Sequence, residues 1–354
     1  MRSPRQHNRP LRFFVALLTL VALSTMSCST DSQDTIELSG LTMGTTWSVK
    51  VVTDSQSASS RQTIWDLINE QIDTVNDRMS HYLDTSELSR FNASTSTKPF
   101  PISRATADVL RAAIRIGEVT DGALDITVGP LVDAWGFGPP GEPPEPPSDE
   151  TIAQLLAITG LNHLDLDHAS STVAKDNPRV RVNLASIAKG YGVDRVAETL
   201  EGAGYDNYMV EIGGEVRVSG HRKDGQPWNL AVERPQTNGR SRHTVLAITE
   251  GSLATSGDYR FYRDTDGGRI SHIIDPRTGR PIHHALASVT VFDSLCINAD
   301  GFATALLVLG QDEGFELAEK LGLAALFLIR TDDGNIEERV TSNFNGMPTA
   351  SPRP

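Results

Sequence analysis

Cysteine is nearly absent: the 354-residue chain has two, Cys28 and Cys296. That excludes a disulfide scaffold and a zinc site built on thiolates. Positive charge is in deficit, with 32 Lys and Arg against 45 Asp and Glu and a net charge of −13. A chain this acidic is ill suited to binding a phosphate backbone, which sets nucleic acid aside. No apolar run approaches the roughly 20 residues that a membrane-spanning helix needs. There is no repeat of solenoid period either. What remains is a globular composition, 38% hydrophobic and 22% charged, with enough chain for a sizeable core.

The N-terminus is built for targeting. Arg2, Arg5, Arg9 and Arg12 precede the short apolar run from Phe13 to Leu23, and no acid interrupts them. A basic start followed by a short apolar stretch is a secretory signal. Ser27-Cys28 then resembles a bacterial lipoprotein cleavage site, although Thr25 stands where that pattern prefers Leu. Residues 1–27 are expected to be the signal, Cys28 the lipidated first residue, and 28–39 a tether. One continuous domain is expected over 40–340. A stiff loop of Pro, Gly and Glu runs through 139–147, and a disordered tail covers 341–354.

Periodicity predicts an α+β fold, with mostly antiparallel central strands bracketed by helices. Helices are expected at Thr63 to Met79, Ala105 to Thr120, Ile187 to Leu200, Ala299 to Leu309 and Glu313 to Leu321. Strands are expected at Trp47 to Val52, Val180 to Val182, Tyr208 to Ile212 and Glu215 to Ser219. Others are expected at Trp228 to Glu233, His243 to Thr249, Ser252 to Ser256, Arg260 to Arg263, Arg269 to Ile274, Ser288 to Phe292 and Ala324 to Arg330. Asp266-Gly267-Gly268 reads as a hairpin turn.

Chemistry-bearing residues gather in five segments. Met43-Gly44-Thr45-Thr46-Trp47 is a turn entering a strand. Gly122 to Pro130, followed by Trp135-Gly136-Phe137-Gly138, could pack a core or line a planar pocket. Asn183 to Gly192 leads into a helix N-terminus, whose free amides and dipole suit phosphate, and Lys189 adds charge there. The glycine spacing is not that of a Walker loop. Glu211-Ile212-Gly213-Gly214-Glu215 holds paired glycines in a hairpin. The fifth segment joins Ala254 to Tyr259, Ser271 to Gly279, and Asn298 to Thr304. Asp300 and Thr304 are four apart in a helical stretch, so both oxygens face one way. Hard oxygens without a His or Cys cluster suit Mg²⁺ better than zinc, whereas helix capping explains them without a metal.

With those segments in hand, the sequence resembles the bacterial FAD:protein FMN transferases, the ApbE family of flavin-transferring lipoproteins. The resemblance is carried by MGTTWSVKV from Met43, MSHYLDTSELSRFN from Met79, GALDITVGPLVDAWGFGP from Gly122 and NLASIAKGYGVD from Asn183. It continues with IGGEVRVSG from Ile212, ATSGDY from Ala254, SHIIDPRTGRPI from Ser271 and NADGFATALLVLG from Asn298. These motifs span about residues 40 to 335 in the family's order.

The resemblance implies transfer of FMN from FAD onto a Thr or Ser hydroxyl of an acceptor protein, with release of AMP. Implied acceptors are subunits of membrane redox complexes of the Na⁺-pumping NADH:quinone reductase and Rnf type. Implied FAD contacts are Met43, Tyr82, Ala123, Leu124, Asp125, Asn183, Lys189 and Ile274. Implied magnesium ligands are Asp300, Thr304 and the carbonyl of Ser186, and His272 falls at the family's active-site histidine. The family often has Asp at the position of Asn183, and Gly or Ala at that of Ser186. His272 and Asp258 both remain candidates for the acceptor's proton. With water as acceptor the same site would split FAD into FMN and AMP. A non-catalytic flavin-binding lipoprotein would need neither Asp300 nor Thr304.

Overall fold

The computed structural model describes residues 34–54, 57–138, 145–236, 241–259, 261–265 and 268–350. Cys28 and the signal sequence lie outside them, as do 139–144 of the Pro-rich loop and Asp266-Gly267 of the expected turn.

The centre is an eight-stranded sheet. Its order is Asp34–Thr42, Thr45–Thr53, Tyr208–Ile212, Glu215–Ser219, Glu250–Gly257, Leu286–Asp293, Ala324–Arg330 and Ile336–Val340. Every neighbouring pair in it is antiparallel. Side chains alternate across the sheet, as strand geometry requires. Phe327 faces one core with Val289 and Val291, while Leu326 and Leu328 face another with Trp228, Leu230 and Leu246. Helices cover the first face. The Trp228–Glu233 and Arg242–Ile248 hairpin contributes to the apolar cluster on the second.

Two helices matter most for the site, Ala188–Gly202 and Cys296–Leu309. The 296–309 helix is buried on nearly every side: Ile297, Ala299, Phe302, Ala303, Leu306 and Leu307 are all in the core. A helix apolar all round belongs in the interior. The two helices press together where Gly190 has no side chain. A Cβ there would stand 2.4 Å from the Cys296 carbonyl oxygen and 2.7 Å from Asp300 Cβ.

Several elements differ from the expectation. The tether expected over 28–39 contains the start of the edge strand Asp34–Thr42, whose Ile36 and Leu38 are buried against the next strand's core face. The first helix starts earlier, at Ala58, because Ser57 caps it by accepting from the Ser60 amide. The tail expected to be disordered from 341 carries a short helix, Ser342–Asn345, with Phe344 buried, and Thr349 bridges to Leu246. Val180 to Val182 is not a strand. Its backbone is held instead by side chains: Val182 donates to Asn92 Oδ1 at 2.7 Å and accepts from Asn92 Nδ2 at 2.8 Å. Lys175 Nζ donates to the Val180 carbonyl at 3.1 Å.

The expected strand from Arg269 to Ile274 splits into Gly268–Ser271 and Ile274–Asp275. The Ser271 hydroxyl accepts from the Ile273 amide at 3.1 Å, a local turn that competes with strand pairing. His272 sits at the break. Its partner strand is Tyr262–Thr265, shifted from the expected Arg260 to Arg263, with Thr265 opposite Gly268.

Candidate active site

The site is assembled on the first turn of the 188–202 helix. Its own N-cap residue, Ile187, supplies no side-chain cap. Asp300 reaches across from the 296–309 helix, and its Oδ2 accepts from the Gly190 amide at 2.9 Å. Lys189 Nζ lies 4.0 Å from Asp300 Oδ1 and forms a short ion pair with Glu215 Oε1. Asp300 is 2% exposed and Glu215 is 3% exposed, so two buried carboxylates share one ammonium. Burial, with Glu215 adding to it, pushes the Asp300 carboxyl up to about 7. Glu215 is likewise raised, chiefly by burial, while the Lys189 ammonium is held above its usual range by the two acids. Among the buried side-chain oxygens, Glu215 Oε2 has no hydrogen-bond partner.

The helices cap each other. Asp194, on the 188–202 helix, accepts from the amides of Cys296 and Ile297, each at 2.9 Å. Those amides open the 296–309 helix, whose own Asp300 caps the 188–202 helix in return. Arg217 Nη1 completes Asp194 at 2.9 Å. The register of Asp300 against Lys189 is therefore fixed from both ends.

Thr304 is one turn beyond Asp300, and its hydroxyl lies 3.0 Å from that of Ser256. Asp258 follows two residues later along the chain. Both its oxygens are taken by Arg330, at 2.5 and 2.9 Å. His272 is placed differently. Its Nδ1 lies 2.7 Å from the Phe261 carbonyl, which can only accept, so Nδ1 carries the proton and Nε2 keeps its lone pair. The rings of Phe261 and Phe137 stand edge-on to it at 5.6 and 6.3 Å. Burial lowers the His272 pKa, so the imidazole is neutral at pH 7. Both Asp258 and Lys189 act on it electrostatically, the first raising and the second lowering its pKa.

The flavin contacts implied by resemblance fall into two kinds. Met43 and Gly44 form a two-residue turn between paired strands, at φ of +48° and +72°, and Gly relieves the strain of that geometry. With Tyr82, Leu83, Asp73, Asn76, Asp77 and Ser80 they line an open cleft of about 640 Å³. Tyr82 is 64% exposed, and its ring is tilted against that of His81 with centroids 4.2 Å apart. The others turn inward. Ala123 and Leu124 are core residues, and Ile274 packs with Leu131, Trp135 and Ile152. Asp125 closes on its own loop, accepting from the Thr127 amide at 2.7 Å and hydroxyl at 2.6 Å. Asn183 Oδ1 accepts from the Ala185 amide at 2.9 Å, which shapes the turn carrying half-buried Ser186. These positions offer a ligand chiefly backbone, not side chain.

A divalent ion suits the donors present. Asp300 gives a carboxylate, Thr304 a hydroxyl and Ser186 a carbonyl, all hard oxygens. The orphaned Glu215 oxygen and the raised Asp300 carboxyl mark a centre short of positive charge. Among the described residues there is no group of three or more His, Cys, Asp and Glu arranged for a metal, so such a site rests on mixed oxygen donors. The sequence reading passed over Glu215, Ser256, Asp194 and Arg330 as site residues. Glu215, Ser256 and Asp194 stood inside the quoted segments without a role, and Arg330 lay outside the five chemistry-bearing segments.

Fold and site together define an antiparallel α+β protein whose polar centre sits at a helix N-terminus. The model of the ApbE family matches residues 43–327. This chain belongs to the ApbE family. A Vibrio cholerae protein named FAD:protein FMN transferase is 46% identical over 332 residues, covering 94% of this chain and 97% of that relative. One from Haemophilus influenzae with the same name is 46% identical over 318 residues, 89% and 92% of the two chains. The solved flavin transferase ApbE of Vibrio cholerae superposes with a TM-score of 0.82 at 45% identity. It covers 89% of this chain and 99% of its own.

Proposed function

We propose that this chain transfers FMN from FAD to a Thr or Ser hydroxyl of an acceptor protein. The hydroxyl oxygen attacks the phosphorus on the FMN side of the pyrophosphate. A phosphoester forms there, the bond to the bridging oxygen breaks, and AMP leaves. The observation that carries the reading is the Lys189, Glu215 and Asp300 cluster, gathered at the N-terminus of the 188–202 helix. Helix amides and the Lys189 ammonium meet the phosphate charge. Met43 and Tyr82 line the open cleft and take up the planar part of the donor.

Asp300, Thr304 and the Ser186 carbonyl are the residues that would hold Mg²⁺. When bound, the ion neutralises charge on the pyrophosphate oxygens and eases departure of AMP. His272 is assigned the acceptor's proton, because its Nε2 is unprotonated and its ring neutral. Asp258 is assigned a positioning role, because Arg330 holds both of its oxygens.

The test is incubation with FAD, Mg²⁺ and a Thr-bearing acceptor domain, read by intact mass. Acceptor heavier by one FMN, with an equal amount of AMP, is the expected result. FMN and AMP free in solution with unmodified acceptor would make the protein a pyrophosphatase. Subunits of Na⁺-pumping NADH:quinone reductase and Rnf-type complexes are the acceptors to try first.

The basic and apolar start of the chain and Ser27-Cys28 support a periplasm-facing lipoprotein anchored at Cys28. Cys28→Ala should release the protein from membranes or block its processing, with catalysis in detergent-free solution little changed. Mature protein without acyl chains would refute the anchor.

A further inference from the structure

Glu215 takes no step in the chemistry above, yet its geometry calls for a ligand. The side chain is 3% exposed, Oε1 is bound to Lys189 Nζ, and Oε2 is buried without a donor. Leaving a buried polar atom unpaired costs on the order of 1–3 kcal/mol, and more for a charged one. A carboxylate oxygen only accepts, so phosphate oxygens cannot satisfy it; a cation or a donor must.

Charge points to the cation. The same Nζ that binds Glu215 is 4.0 Å from Asp300 Oδ1. One ammonium serves two buried carboxyl groups, so with both ionised the trio is one positive charge short. Glycine also lets the backbone lie close beside it. Gly213 has φ +65°, and a Cβ on it would lie 2.9 Å from Thr45 Cγ2, 3.2 Å from Lys189 Cδ and 3.4 Å from Glu215 Oε2. A side chain there would close the space next to the free oxygen.

We propose that Glu215 is a further member of the divalent-cation site, acting through its free oxygen together with Asp300, with Lys189 as the internal counter-ion against which the ion binds. This rests on the assignment of the cation to Asp300. It carries an unusual consequence. In the absence of flavin, Lys189 competes with the ion for the two carboxylates, so removing the ammonium should tighten metal binding.

The experiment is titration of the full chain with Mn²⁺, without flavin, followed by electron paramagnetic resonance. Wild type, Asp300→Ala, Glu215→Gln, Glu215→Asp and Lys189→Met are compared. Circular dichroism and thermal midpoints establish which variants are folded. Asp300→Ala should abolish binding in the accessible range. Glu215→Gln should weaken it about tenfold or more, since a full charge is lost near the ion. Glu215→Asp, which keeps the charge, should recover part of the affinity, and Lys189→Met should tighten binding several-fold.

If wild type binds no Mn²⁺, or Asp300→Ala binds it normally, the cation assignment itself fails. If Asp300→Ala loses the ion while Glu215→Gln keeps wild-type affinity, that assignment stands and the role of Glu215 is refuted. Weaker binding by Lys189→Met refutes the counter-ion. Should Glu215→Gln fail to fold, Glu215→Asp and the direction of the Lys189→Met change decide the question.

Discussion

The two sides of the polar centre are held in opposite ways. On the helix side, Lys189, Asp300 and Asp194 are bound by one another or by backbone amides, with the acids almost wholly buried. On the hairpin side, His272 hangs from one carbonyl, and its neighbour Phe261 is 68% exposed. Burial strengthens charge interactions and fixes geometry, which suits the group that must be neutralised in every turnover. Exposure leaves room for a second protein to bring its hydroxyl in. On the proposed function, flavin phosphate and cation fall to the helices and the acceptor to the hairpin.

Breaking the helix side should have the largest effect. Asp300→Ala removes the proposed charged ligand and the cap on Gly190, and FMN transfer should fall about a thousandfold or more. Circular dichroism should remain that of a folded protein. Transfer at the wild-type rate would undo the division between the two sides.

On the hairpin side, His272→Ala should slow transfer by about 10²–10⁴-fold with FAD affinity nearly unchanged. Because burial lowers the His272 pKa, the acid limb of the wild-type rate should be centred below pH 6.5. The variant should lose that acid limb. A loss of FAD affinity with an unchanged rate at saturation would move His272 to the donor side.

Asp194→Ala leaves Arg217 with Glu201 as its remaining acidic partner and two amides uncapped at the head of the 296–309 helix. Leaving buried donors unsatisfied costs about 1–3 kcal/mol, to be read as a denaturant midpoint. The loss should be accompanied by weaker metal binding, since Asp300 loses its register. A stability loss with intact metal affinity would show that the mutual caps do not govern the site.

A smaller effect sharpens the same contrast through pH. In metal-free protein the Asp300 carboxyl is raised from 3.8 to about 7. Between those values the folded state holds a proton that the unfolded state has lost. The stability this group contributes is thus complete below pH 3.8 and is lost as pH rises through about 7. Asp300→Asn should flatten that part of the curve of thermal midpoint against pH. The smallest change is at the exposed cleft. Tyr82→Ala should move stability by no more than about 0.5 kcal/mol. It should raise the KM for FAD several-fold, and an unchanged KM would remove Tyr82 from the donor cleft.

The sequence by itself determined the fold class, most of the strands and helices, and the segments that meet at the site. Period and glycine placement are local properties, and local properties survive in one dimension. Thus Tyr208–Ile212, Glu215–Ser219 and Ala324–Arg330 fall where alternation put them. Reading failed where side chains replace the regular pattern: the Asn92 and Lys175 clasp on 180–182, the Ser271 turn before His272, and the polar first turn capped by Ser57. Tertiary structure alone decided which charges share a partner. Nothing in the chain order brings Asp194 to the amides of Cys296 and Ile297, over a hundred residues away, or gives Glu215 and Asp300 a single ammonium. Those pairings depend on how closely two helices pack, and the missing Cβ of Gly190 sets that distance.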